Sequence, residues 1–101
     1  MYLHIARFRV KPGQQKAFEA SAAKGEALFL AAKGCRGFNL THSLESPEDY
    51  LLMVHWESVE NHTKDFRASP ARDRWHDLVD PYIDGPPEVE HVRLLGEGPG
   101  R

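Results

Sequence analysis

An α+β fold, one antiparallel sheet with helices on one face, is predicted from three observations. Residues 2–10, 38–44, 50–56 and 89–95 alternate or run apolar as strands do. Residues 14–33, 59–68 and 70–79 carry apolar side chains at helical spacing. Turn signals separate these segments: Lys11-Pro12-Gly13, Ser46-Pro47 and the run from Asp80 to Pro87.

The elements follow in order. Residues 2–10 place Tyr2, His4, Ala6, Phe8 and Val10 on one side and Leu3, Ile5, Arg7 and Arg9 on the other, the period-two pattern of a strand. From Gln14 to Lys33, Phe18, Ala22, Gly25, Phe29 and Ala32 make one apolar stripe, which predicts a single long helix closed by Gly34. Phe38, Leu40, His42 and Leu44 alternate as a second strand. The nearly continuous apolar run Tyr50-Leu51-Leu52-Met53-Val54-His55-Trp56 predicts a central strand buried on both faces. Ser58 caps a helix over 59–68, with Val59, His62, Thr63 and Phe66 on one side. Ser69-Pro70 starts another, with Ser69 as N-cap, Pro70 in the first turn, Asp73 reaching back, and Ala71, Trp75, Leu78 and Val79 inward. Residues 89–95 close the sheet.

The order β-α-β-β-α-β, its second helical part split, is the ferredoxin-like arrangement. Helices cover one face of such a sheet. A central strand apolar on both faces needs a second layer that this chain cannot supply, so a homodimer with packed sheets is expected.

A chain of 101 residues is one domain; it is assigned to 1–95, with 96–101 as a frayed tail. Arg67, Arg72 and Arg74 alternate with Asp65, Asp73 and Asp77, so no basic stripe offers itself to nucleic acid. The single cysteine, Cys35, allows no internal disulfide and reads as a free thiol beside a turn. No apolar run is long enough to span a membrane, and a cytoplasmic location is expected.

The chemistry narrows by elimination. No His pair has the i, i+4 spacing of a helical zinc motif, and His62 and His76 fall on different helical segments, so no metal is expected. His42, His55 and His91 either meet across neighbouring strands or serve separately as half-buried strand residues. The turn after the first strand holds one glycine, which supports no dinucleotide site, and no Gly-x-Ser-x-Gly elbow is present. Proton transfer in a ring-lined pocket remains. His62 and Phe66 share a helical face, and His76 adjoins Trp75. Either these residues line a pocket for a flat, apolar, partly phenolic ligand, or Phe66 and Trp75 are core and His62 is a surface residue.

The stretch from Val54 to Leu78, with Trp56-Glu57-Ser58 ending a strand, a helix, and Ser69-Pro70 opening a His-bearing helix, resembles the antibiotic biosynthesis monooxygenase family. The lead-ins at 10–19 and 33–38 and the closing 89–95 resemble it too. The resemblance implies a dimeric α+β barrel. It also implies a cofactor-independent monooxygenase that oxidises a small aromatic phenol or quinol with O2 and uses no metal, flavin or haem. It makes His76 the catalytic base, with Phe66 and Trp75 as cavity wall, His62 beside them, and Arg67 and Tyr82 steadying a phenolate. A haem-degrading branch of relatives places its Asn, Trp and His at Ala6, Phe66 and His76, where only the histidine matches. A haem-binding relative and a non-catalytic ligand-binding dimer are the alternatives.

Overall fold

The structure, a computed structural model, describes residues 1–96. The strands are β1 (Tyr2–Arg9), β2 (Cys35–His42), β3 (Asp49–Trp56) and β4 (Glu88–Arg93). The helices are α1 (Gln15–Ala23), α2 (Gly25–Leu30) and α3 (Pro70–Val79), with a π-helical segment (Asn61–Phe66) before α3 and a 3-10 turn (Asp80–Tyr82) after it. The four strands form one antiparallel sheet in the order β2-β3-β1-β4. This is the expected α+β, ferredoxin-like fold.

Alternation decides which residues enter the core. Along β1, His4, Ala6 and Phe8 are buried; along β3, Tyr50, Leu52, Val54 and Trp56 are buried. The register sets Ala6 opposite Leu52 and His4 opposite Val54, so one face of the sheet is continuous beneath the helices. Phe29 sits at its centre, stacked on Phe66 at 4.6 Å between ring centres and edge-on to Trp75 at 5.1 Å. Such ring pairs add about 1 kcal/mol each beyond the area they bury. On the other face, Leu3, Ile5, Leu51, Met53 and Val92 remain half-buried.

Several boundaries differ from expectation. The single helix over 14–33 is two helices, broken at Lys24, whose N–H bonds to Ser21 O three residues back and tightens the turn. The predicted stripe survives the break: Phe18, Ala22, Gly25 and Phe29 are the buried positions. Gly25 is there because a Cβ would lie 2.3 Å from the Trp75 ring. Gly34 has φ +78° and a Cβ there would lie 2.0 Å from Asn61 Oδ1, so it serves a turn after α2 and a close approach together.

The helix expected over 59–68 widens into the π-helical segment, in which Arg67 N–H bonds to His62 O, five residues back. The wider turn lets Asn61, His62 and Phe66 all face inward. Ser58 does cap it: Ser58 Oγ accepts from Asn61 N–H, and Asn61 Oδ1 accepts from Ser58 N–H. Ser69 is the N-cap of α3 by backbone conformation, but its hydroxyl donates to Phe66 O instead of capping a helix N–H. Asp73 pairs weakly with Arg72 at 3.9 Å rather than reaching back.

The second strand occupies Cys35–His42 rather than 38–44, and Leu44 is exposed in the turn that follows. The last strand is Glu88–Arg93 rather than 89–95. Of the tail expected at 96–101, only Gly96 is within the described residues. Cys35 is a buried free thiol whose burial raises its pKa, which makes it unreactive. Among the described residues, no helix is long and apolar enough to cross a membrane.

Candidate functional site

A cavity of about 290 Å³ opens between the β1/β4 side of the sheet and the helical segments above it. Phe8, Phe29, Phe66 and Trp75 supply ring walls, and Ala6, Pro87 and Val89 supply small apolar surface. His4, His62, His76, Arg67 and Arg72 bring the polar groups. All the residues expected at the site line this one cavity except Tyr82, whose carbonyl instead accepts from Lys11 N–H.

Two elements deliver the histidines. His4 comes from β1 and faces His91 on β4 in the strand register. His62 descends from the π-helical segment onto them. Its ring stacks on His4 with centres 3.8 Å apart, and its Nδ1 lies 2.8 Å from His91 Nε2, one nitrogen donating to the other. The Trp56 ring also stacks with His62, its centre 5.6 Å away.

Burial dominates the electrostatics of this cluster. It pushes His4 down to about 2 and His62 to about 4, helped by the neighbouring imidazoles and the Arg67 guanidinium. His91 is lowered by the same burial and by Arg67. All three are therefore neutral at pH 7. His4 Nδ1 is buried without a hydrogen-bond partner among the described residues.

His76, on α3, is built differently. Its Nδ1 lies 3.3 Å from Asp80 Oδ1, one helical turn on. A carboxylate can only accept, so Nδ1–H donates and Nε2 is left as the basic nitrogen. This pairing of an imidazole with an orienting carboxylate is the arrangement general-base catalysis needs.

His42, His55 and His91 do not meet. His42 stacks on Tyr50 at 4.2 Å near the opposite end of β3, His55 lies across from Gly37 on the other face, and His91 joins His4 and His62. Metal ligation does not suit the histidines that do converge. Stacked rings aim their lone pairs side by side, and among the described residues no group of three His, Cys, Asp or Glu is arranged to hold an ion.

His4, His91, Arg72 and Phe29 escaped the sequence reading of the site. The signal for His4 was present, since it falls on the inward face of β1; His91 joins it only through the register of β4 against β1. A second, larger cleft of about 590 Å³ borders Arg7, Arg9, Asp49 and Leu51. It opens beside the apolar sheet face and has no imidazole.

The antibiotic biosynthesis monooxygenase family pattern matches residues 1–78. YczJ of Bacillus subtilis is 31% identical over 93 residues, 92% of this chain and 98% of that protein. A Bordetella bronchiseptica structure assigned by name to the antibiotic biosynthesis monooxygenases superposes with a TM-score of 0.90 at 40% identity, over 93% of this chain and 96% of that one. SnoaB of Streptomyces nogalater, a cofactor-independent oxygenase, shares the fold with a TM-score of 0.82 at 17% identity, over 98% of this chain and 97% of that one. With most of its length matched by the family pattern, and close likeness in both sequence and structure to relatives of the same size, the chain belongs to the antibiotic biosynthesis monooxygenase family.

Proposed function

We propose that this protein is a cofactor-independent monooxygenase that oxidises a small phenol- or quinol-like aromatic molecule with O2. The observation that carries the reading is His76 beside Asp80 on the wall of a ring-lined cavity. His76 Nε2 removes a proton from the phenol or its enol form, and Asp80 holds the imidazole and stabilises the imidazolium that results. The electron-rich anion passes an electron to O2, and the radicals combine at ring carbon to give a hydroperoxide. Loss of water leaves a carbonyl: one oxygen atom enters the product, the other departs in water, and the substrate supplies all four electrons. No external reductant is needed.

The protein's part is to bind, orient and deprotonate. Phe66 and Trp75 offer flat faces to the rings, and Arg67, lining the same cavity, stabilises a phenolate. His62, neutral and hydrogen-bonded to His91, presents polarity without charge and does not compete for the substrate's proton near pH 7. Tyr82 has no part in this reading. Oxygen uptake with one- to three-ring phenols, lost in His76→Ala, is the test.

Two further features belong to the proposal. Leu3, Ile5, Leu51, Met53 and Val92 form an apolar sheet face that a second copy would cover, giving a homodimer with sheets packed into an α+β barrel. The protein is placed in the cytoplasm, where its single, buried thiol stays reduced. A haem-binding reading is less well supported, because a cavity of about 290 Å³ would enclose only part of a porphyrin.

A further inference from the structure

We propose that the cavity selects an aromatic ligand of one or two rings carrying a carboxylate, which Arg67 and Arg72 clamp at the cavity's edge. The inference rests on the oxygenase reading of the same site and names its substrate class. Charge comes first. Two arginines and three histidines line the cavity, and among the described residues no Asp or Glu does. Arg67 enters no ion pair among the described residues, and Arg72 has only the 3.9 Å contact with the largely exposed Asp73.

Burial first, then for His4 and His62 the neighbouring imidazoles, and last the Arg67 guanidinium, hold His4, His62 and His91 below the ordinary imidazole range. His4, His62 and His91 therefore add no positive charge of their own at neutral pH. The cavity is left with two guanidiniums over an apolar floor, Arg67 without an ion pair among the described residues and Arg72 with one long contact to Asp73, the complement of an aromatic acid. A planar guanidinium offers paired N–H donors that fit a carboxylate, whereas a neutral phenol would use only one of them.

The chain geometry explains why both reach one site. Arg67 follows the π-helical segment and Arg72 lies in the first turn of α3, on either side of the Ser69-Pro70 break. The extended backbone at Ser69 separates the two segments, and both side chains line the same cavity. The volume limits the occupant: about 290 Å³ is the space of roughly ten water molecules at about 30 Å³ each. That suits a bicyclic acid with its carboxylate at the opening.

Calorimetric titration of the full chain with 2-naphthoate, 2-naphthamide and 2-naphthalenesulfonate tests the clamp. The naphthoate is expected to bind about tenfold more tightly than the neutral amide of the same shape, and to weaken as salt is raised. Arg67→Gln and Arg72→Gln should each remove most of that preference while leaving amide binding in place; Lys at either position should restore part of it. A sulfonate that binds as well as the carboxylate would show a general anion site and overturn the carboxylate assignment. Equal binding of acid and amide, binding of neither, or variants that weaken both alike would overturn the clamp itself. If a variant fails to fold, the acid–amide comparison in the unaltered protein still decides. Tight naphthoate binding with no oxygen uptake from any hydroxynaphthoate would leave the clamp standing and remove the oxygenase reading; uptake with equal kcat/KM for charged and neutral substrates would do the reverse.

Discussion

His62 lies face to face with His4, their ring centres 3.8 Å apart and their planes 5° from parallel. Charging either ring would bury an imidazolium, which the site disfavours. His62 is held down to about 4 and His4 to about 2, against 6.5 in the unfolded chain. The unfolded state thus binds more protons than the folded state below about pH 6.5, and stability falls as pH falls. Above 6.5 the contribution is fully present. From there to pH 5, each buried imidazole is expected to cost on the order of 2 kcal/mol of folding free energy. His91 and Arg67, which face the pair, act in the same direction. Urea unfolding across this range should show that slope, and His62→Phe, which keeps a ring in the stack, should flatten it. A stability profile flat from pH 7 to 5 would contradict the neutral cluster.

His76 and Asp80 should separate by kinetics. His76→Ala is expected to lower kcat by about 10²–10⁴-fold, the range for a positioned general base. Asp80→Asn keeps a side chain of the same shape but removes the charge that steadies the imidazolium. Its loss should be smaller and confined to kcat, with KM unchanged. An Asp80→Asn protein whose KM rises while kcat holds would show that the carboxylate serves binding instead.

Gly25 sets the position of the Trp75 wall. A Cβ at this position would lie 2.3 Å from Cζ3 and 2.4 Å from Cε3 of the indole, which is packed against Phe29 and cannot retreat freely. Gly25→Ala should therefore destabilise the fold by about 1–3 kcal/mol, as overpacking does. It should also shift the Trp fluorescence, because the ring must move. Unchanged stability would mean the two helices slide apart at little cost.

The apolar sheet face predicts assembly. Ile5 and Met53 are partners across β1 and β3, both on the face turned away from the helices. Met53→Arg is expected to give a monomer by sedimentation velocity where the unaltered protein is a dimer. A wild-type monomer at micromolar concentration would remove the barrel from the proposal.

What the sequence revealed, and what it hid, follows from how local each feature is. Alternation from Tyr2 to Val10 and from Tyr50 to Trp56 depends only on side chains two apart, so the inward faces of β1 and β3 are legible in the residues alone. The stripe Phe18, Ala22, Gly25, Phe29 is equally legible, yet it conceals the break at Lys24: the buried face is continuous across it, and only the exposed backbone registers the tighter turn. The π-helical segment is hidden for a related reason, since a hydrogen bond reaching one residue further back leaves no mark in composition. His76, Phe66, Trp75, His62, Arg67 and Ala6 can be gathered because chain neighbours and the family pattern place them. His91 cannot, because its contact with His62 spans 29 residues and depends on strand register. Tyr82 stands apart from the cavity lining, on a 3-10 turn whose Tyr82 carbonyl accepts from Lys11 N–H in the loop after β1.

Oxygen uptake by metal-stripped protein, measured with a panel of hydroxylated naphthalenes and naphthoates and their three-ring relatives, tests the central claim most directly. One O2 should be consumed per carbonyl product formed, at a rate unaffected by chelator and abolished by His76→Ala. No uptake above the buffer rate with any of these substrates, or uptake that persists without the imidazole, would contradict it.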